Sequence, residues 1–485
     1  MKTLVIDIGT SGLRAAIVHD DATLSDLHYE SFPPHSPAPG LVEFDAQAMY
    51  EAVHRVACTA LEGHVVSAIG LTCQRASTVV WRRSTGLPIG PGLGWQDLRT
   101  VGDCIVMRHT HGIAVAPNQT ATKASWMLKN LLDDKEREST DILIGTVDSW
   151  LVWKLTSGAQ HVTDHTNAAV TGLTHPSGLQ WDDNTCAAFN ILPSQLPRIV
   201  NTMGYVGDAT QLPGSPPLMA IAGDQQASLV GQGCIAPGQA KITFGTGGML
   251  DVYVGDRVPT QSTRSKAGTF PIVAFSRDHK LHYGTEAIML SAGSNIEWLC
   301  HDMGLLATPE ESDAVAASCS SSDGVMYVPA LVGLGTPHWD YGARGSLFGI
   351  TRGTTRAHIV RAVLEGVAHR GADLVEAAEA DSSLHIHELR IDGGMSKNAT
   401  FVQALANASH RPVKVSVHSE ATTLGAGFLA GATSGQWSHL DEAISTIRWA
   451  KSVDPLGNSD AGRQQWREAI SRSRSWIPDL SALDF

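Results

Sequence analysis

The sequence contains no run of about 18 apolar residues, which excludes a helical membrane span. It has no G-x-x-x-x-G-K-[ST] motif, so it is not a P-loop protein of the usual kind. No G-x-G-x-x-G follows a strand, which weakens a dehydrogenase reading. The seven cysteines (Cys58, Cys73, Cys104, Cys186, Cys234, Cys300 and Cys319) are odd in number, scattered, and form no C-x-x-C pair. That pattern is neither a disulfide framework nor a zinc site, and reduced thiols in a cytoplasmic protein fit it best. Positive charge is in deficit. Lys and Arg number 35 against 48 Asp and Glu, and the net charge of −13 argues against a nucleic-acid or anionic-membrane partner. The apolar start of the chain is interrupted by Asp7, too early for a signal peptide.

Glycine, by contrast, is abundant at 47 of 485 residues. Length predicts two or three domains. Residues 3–8 and 13–18 are apolar runs joined by Gly9-Thr10-Ser11-Gly12, and they predict a buried β-hairpin. Residues 240–244 and 249–254 flank Gly245-Thr246-Gly247-Gly248 in the same way. Two such units in opposite halves suggest a diverged duplication. Gly231 to Gly238 reads as a hinge, dividing the chain into 1–231 and 232–485. Ile359, Val363, Val367 and Leu374 recur on one face and predict a helix over 357–380. Residues 120–131 predict another, with Thr120 and Thr122 as candidate caps. Loops are expected at 31–41, 87–94, 212–217 and 333–345. Alternating strands and helices give an α/β architecture, with a polar helical tail after about 455.

Chemistry concentrates at the glycines. In Asp7-Ile8-Gly9-Thr10-Ser11-Gly12-Leu13-Arg14 the backbone N–H groups can turn toward an anion. Thr10 and Ser11 add hydroxyl donors and Arg14 adds a cation. Asp7 at the strand end could hold Mg²⁺ through water. Gly245 and Thr246 could clamp the same phosphate chain from the other half. Ile391-Asp392-Gly393-Gly394-Met395-Ser396-Lys397-Asn398 runs from a strand into a Gly-Gly turn where a flat ring could lie against the backbone. This order of elements resembles the actin-like (ribonuclease H-like) superfamily of sugar kinases, chaperone ATPases and actin, with two domains around a central cleft.

Longer segments narrow the resemblance. Residues 345–365 read Gly-Ser-Leu-Phe-Gly-Ile, seven residues, then His-Ile-Val-Arg-Ala-Val-Leu-Glu. They match the C-terminal signature of the FGGY carbohydrate kinase family. Gly70 to Trp81, Gly94 to Thr100, Gly145 to Thr156, His161 to Ala168, Ile221 to Gln232 and Gly333 to Gly345 resemble the glycerol kinase branch of that family. The resemblance runs from about residue 3 to about 450. It implies ATP as cosubstrate, Mg²⁺, transfer of the γ-phosphoryl group to a primary hydroxyl of a small polyol or sugar, and a homodimer or homotetramer.

The resemblance also assigns roles. Asp224 matches the general base that takes the acceptor hydroxyl's proton as its oxygen attacks phosphorus. Arg75, Trp95 and Gln225 match polyol contacts. Asp7, Thr10, Ser11 and Arg14 match the magnesium and phosphate side, and Gly245 and Thr246 the second phosphate loop. Gly293, Ile296 and Glu297 would line the nucleotide cleft, and Gly394, Met395 and Asn398 its adenosine end.

Three positions depart from the pattern. Glycerol kinases carry Gln-Arg-Glu-Thr where this chain has Gln74-Arg75-Ala76-Ser77. A family tyrosine aligns with Asn118, and a family aromatic with Met249. A lost carboxylate leaves one substrate hydroxyl without its acceptor, and smaller side chains widen the pocket. An acceptor longer than glycerol is therefore expected: a tetritol, a pentitol or a ketose. The alternatives are a xylulokinase-like enzyme of the same family and an actin-like ATPase without a sugar acceptor. His385-Ile386-His387 is expected on a strand without metal, and the pairs Asp182-Asp183 and Glu310-Glu311 in solvated turns.

Overall fold

The computed structural model describes residues 1–260, 263–417, 420–457 and 460–483. The first apolar run forms β1 (Thr3–Ile8), which turns through Gly9–Ser11 into β2 (Gly12–Val18), followed by β3 (Leu24–Ser31). Helix α1 (Ala46–Leu61), capped by the Asp45 carboxylate accepting from the Ala48 N–H, leads to β4 (Ala68–Cys73). β5 (Pro217–Gly223) runs directly into α2 (Asp224–Gly231). In the second half β6 (Ala240–Phe244), β7 (Gly248–Gly255) and β8 (Lys280–Met289) precede α3 (Ser294–His301) and α4 (Arg356–Ser382). Then come β9 (Leu389–Asp392), α5 (Ala399–Ser409), β10 (Val413–Ser416) and α6 (Ala421–Ser434).

The pairing repeats. β1 is antiparallel to β2 and parallel to β4, β2 is antiparallel to β3, and β4 is parallel to β5. β6 is antiparallel to β7 and parallel to β9, β7 is antiparallel to β8, and β9 is parallel to β10. The duplication suggested by two glycine turns thus extends to five strands per half. The halves merge into one 13-stranded sheet where Met203 pairs with Arg277. Each half buries its own apolar core. One gathers around α1, β1 and Trp150, the other around α4, Phe244 and Phe401. Strands buried on both faces read as near-continuous apolar runs, which is how β1 and β6 were legible.

A third cluster lies between the halves, where α2 crosses α6. The approach is very close. A Cβ placed on Gly231 would lie 1.9 Å from the Ala421 carbonyl oxygen, and one on Gly425 would lie 1.8 Å from that of Ala227. Only glycine permits that contact.

Some local expectations change. The helix over Thr120–Leu131 exists, but its N-cap position is Gln119. The Thr120 hydroxyl instead donates to the Ala76 carbonyl, and Thr122 shares a hydrogen bond with Thr100. Both hydroxyls are buried and serve tertiary contacts, which outrank local capping there. His385 to His387 precede β9 rather than lying on a strand, and His385 pairs with Glu379. Asp182 accepts from the Thr185 N–H as a helix cap, and Glu310 and Glu311 sit at the start of the helix Glu311–Ala317. Gly92–Leu93, expected in a loop, pairs as a short strand with Glu43–Phe44. The tail is helical over Asp460–Ser473 and Pro478–Ser481.

Gly425→Ala should therefore lose about 3 kcal/mol or more of stability in urea unfolding, because backbone atoms leave no room for the methyl group. Gly102→Ala, on a helix with nothing within 4 Å, should gain about 0.5–1 kcal/mol. Equal effects at both positions would contradict the role given to the crossing.

Candidate active site

Strand register assembles the site. Ile8, Cys73 and Gly223 are neighbours across β1, β4 and β5, so Gly9, Gln74 and Asp224 leave the sheet side by side. In the second half Thr243 pairs with Asp392, so Gly245 and Gly393 emerge close together. Loops at the carboxyl ends of parallel strands are where α/β folds place ligands.

After Gln74 the chain turns sharply. Ala76 has φ +60°, a strained value for a residue with a Cβ. Its carbonyl is held by the Thr78 and Thr120 hydroxyls. The turn aims Arg75 across the interface. Arg75 Nη2 donates to Glu286 Oε2 at 2.6 Å and lies 3.9 Å from Met249 Sδ, and Nε lies 3.7 Å from Asp224 Oδ1. A Cβ on Gly223 would sit 2.7 Å from Arg75 Cδ, so glycine there makes the approach possible. Gln225 Oε1 accepts from Lys241 Nζ at 2.6 Å, and Lys241 lies 2.8 Å from Asp251. The Trp95 indole N–H donates to Thr10 Oγ1 at 3.0 Å, tying an expected polyol contact to an expected phosphate contact. Asp224, Arg75, Gln225 and Met249 are thus brought together. Ala76 is buried behind Arg75. Asn118 is exposed, and its carbonyl accepts from the buried Lys123 Nζ at 2.7 Å.

Burial sets the electrostatics. It pushes the Asp224 carboxyl above the ordinary aspartate value, while Arg75 and the Gln225 N–H pull it back. It pushes Glu286 up to about 7 against the opposing pull of Arg75. Asp7 is pushed up to about 6, again by burial, with Arg14 and the Thr423 hydroxyl opposing and the negative charge of Asp224 reinforcing the rise.

On the first glycine turn, Arg14 pairs with Glu420 and its Nε lies 3.7 Å from Asp7 Oδ2. Thr423 Oγ1 donates to the same Asp7 oxygen at 3.0 Å. Both partners come from the start of α6, so the second half closes over the first phosphate-type loop. Ser11 is exposed and Thr10 half-buried. The second loop is clamped in turn. The Gly245 carbonyl accepts from the Gly293 N–H, and that of Thr246 from Ala292. Gly393, at φ +84°, passes so close that a Cβ would sit 2.3 Å from the Phe244 oxygen. Ile296 and Met395 are buried, while Glu297 is exposed. Gly394 has open space around its Cα. Asn398 caps α5, accepting from the Phe401 N–H and donating to Ser312 Oγ. Among the described residues no group of three or more His, Cys, Asp and Glu side chains gathers as a metal site, and no helix is long and apolar enough to cross a membrane.

Sequence reasoning missed Lys241, Asp251, Glu286, Glu420 and Thr423. A usable signal existed for the first two: each is a lone charge inside an otherwise apolar strand.

Asp7 gives a separable prediction. Its folded pKa lies above the unfolded value near 3.8, so the ionised carboxylate costs stability. The cost is absent below about pH 4, grows as pH rises through about 6, and is complete above. Asp7→Asn should be more stable than the native chain at pH 7 by up to about 3 kcal/mol, equally stable near pH 4, and inactive. Urea unfolding at the two pH values checks this, and an equal gain at both would refute it.

Comparison with known proteins agrees with the architecture. The chain matches the N-terminal domain of the FGGY family of carbohydrate kinases over residues 2–231 and its C-terminal domain over residues 240–434. It is 38% identical to a glycerol kinase of Aromatoleum aromaticum, covering 98% of this chain and 99% of that one. It is 37% identical to a glycerol kinase of Deinococcus radiodurans, covering 99% of each. A Plasmodium falciparum glycerol kinase solved with ADP superposes with a TM-score of 0.90 at 28% identity, covering 97% of this chain and 98% of that one. A xylulose kinase of Lactobacillus acidophilus shares the fold, with a TM-score of 0.82 at 22% identity and coverage of 98% and 99%. The duplicated sheet, the two glycine loops and near full-length matches agree: the chain belongs to the FGGY family of carbohydrate kinases.

Proposed function

We propose that this kinase transfers the γ-phosphoryl group of ATP to a primary hydroxyl of a polyol or sugar longer than glycerol, with Asp224 as general base. The observation that carries the reading is the Asp224 carboxylate, which leaves its strand beside the ends of β1 and β4 and lies 3.7 Å from Arg75 Nε. Residues 1–231 would carry the acceptor side and residues 232–485 most of the nucleotide side.

The hydroxyl proton passes to Asp224 as the acceptor oxygen bonds to the γ-phosphorus and the bond to the β–γ bridging oxygen breaks. A pKa raised by burial makes the carboxylate a better base, and Arg75 opposes that rise. Arg75 and Gln225 would fix the acceptor, with Trp95 as an apolar wall against its carbon–hydrogen faces. Arg14 and the N–H groups of the two glycine loops would hold the phosphates. Arg14 must first exchange Glu420 for phosphate. Asp7 suits a hydrated Mg²⁺: it is a hard oxygen donor, buried, and opposed by the nearby Asp224 charge. When bound, the ion supplies charge neutralisation for the phosphate chain. Closure of the halves would exclude water that could otherwise accept the phosphoryl group.

Ala76, Asn118 and Met249 support the longer acceptor, because none of the three can supply the missing carboxylate or aromatic wall.

A coupled assay of ADP release across glycerol, erythritol, xylitol, xylulose, ribulose and gluconate tests the acceptor. Release should require an added acceptor and be most efficient with a four- or five-carbon compound. Release without an acceptor would favour a plain ATPase, and glycerol as the best substrate would end the longer-acceptor reading. Ala76→Glu should shift preference toward glycerol by about tenfold or more in kcat/KM. Asp224→Asn should lower kcat by at least about 100-fold while ATP binding persists, and retained turnover would remove Asp224 from the base role.

A further inference from the structure

Lys241 and Asp251 are both fully buried, 2.8 Å apart, and paired across the β6–β7 hairpin. On the next strand Glu286 stands opposite Asp251. Strand alternation puts Lys241, Thr243, Met249, Asp251 and Glu286 on one face of the sheet. That face meets Arg75 and Gln225 from the other half. A buried ion pair of this kind adds little stability and is commonly neutral or costly against an apolar pair. Its presence under the acceptor contacts therefore calls for a different account.

Lys241 Nζ makes two hydrogen bonds, to Gln225 Oε1 at 2.6 Å and Thr243 Oγ1 at 3.0 Å. An ammonium group can only donate. The atom of Gln225 that faces it must then be the amide oxygen, and the NH₂ must point away. The Asp251 carboxylate lies 2.8 Å from the same Nζ and offsets the buried ammonium charge.

We propose that the Lys241–Asp251 pair is a positioning device that locks Gln225 so that it offers N–H, and not C=O, to the acceptor. This rests on the reading of Gln225 as an acceptor contact. An oxygen read by a donor need not carry a hydrogen, so a carbonyl is accepted there as readily as a hydroxyl. The acceptor class then includes ketoses beside the corresponding polyols.

The test uses whichever acceptor the native enzyme phosphorylates best, so glycerol in that place would end the longer-acceptor reading without touching this one. Gln225→Glu keeps an oxygen against Lys241 and removes the donor. The acceptor KM should rise about tenfold or more, with the KM for ATP within twofold. Lys241→Met/Asp251→Leu removes both charges and frees the amide to flip. It should raise the acceptor KM in the same way while leaving thermal stability equal or higher. A merely structural pair would move ATP and acceptor constants together, or neither. The proposal is overturned if Gln225→Glu leaves the acceptor KM unchanged or lowered, or if the folded double variant keeps native acceptor constants. Should the double variant fail to fold, Gln225→Glu decides alone.

Discussion

The close crossing of α2 and α6 is the constraint on which the rest of the molecule depends. The two helices touch through Gly231 and Gly425 with backbone against backbone, so any larger side chain there would force them apart. Each helix also begins at chemistry. α2 starts at Asp224, the expected base, and α6 starts beside Glu420 and Thr423, which reach Arg14 and Asp7. Fixing the crossing therefore fixes the base and the first phosphate-type loop relative to each other. Phosphoryl transfer depends mainly on such placement, because misalignment of an in-line attack costs rate more than weak binding does.

The same crossing explains why charge accumulates where it does. Asp7, Glu286 and Asp251 are buried and Asp224 is half-buried, against Arg75, Arg14 and Lys241. Isolated carboxylates in such surroundings would neutralise themselves by binding protons. Three of the four are pushed above their ordinary range or towards neutrality, and each meets a cation supplied from elsewhere in the fold. Arg75 serves two of these carboxylates at once, from opposite halves. This local pairing is set by the fold and not by the global charge of −13.

Much of the fold was legible in the sequence for a physical reason. Buried strands at both glycine turns need mostly apolar runs, and Thr3–Ile8 and Ala240–Phe244 supply them, each with one charge. The five-strand repeat in each half was less visible, because parallel pairing such as β1 with β4 joins residues about sixty apart and leaves no local mark. Capping at Thr120 was misread because a hydroxyl that caps locally can bond distantly equally well, and only packing decides. The expected catalytic and acceptor residues were legible through the family resemblance, while their supporting residues were not. Glu286 looks like one charge in a mixed strand until the register sets it against Arg75.

Ala76 ties these threads together. Its left-handed backbone aims Arg75 toward Glu286, and its side chain lacks the carboxylate of the expected acceptor contact. The aim of Arg75 comes from the backbone at residue 76, whereas the expected acceptor contact would come from its side chain. Aim and specificity are therefore separable at a single position. A kinase built this way can exchange the expected contact at residue 76 by altering one side chain, while Asp224, Arg75 and the two glycine loops keep the backbone positions that the sheet register and the helix crossing give them.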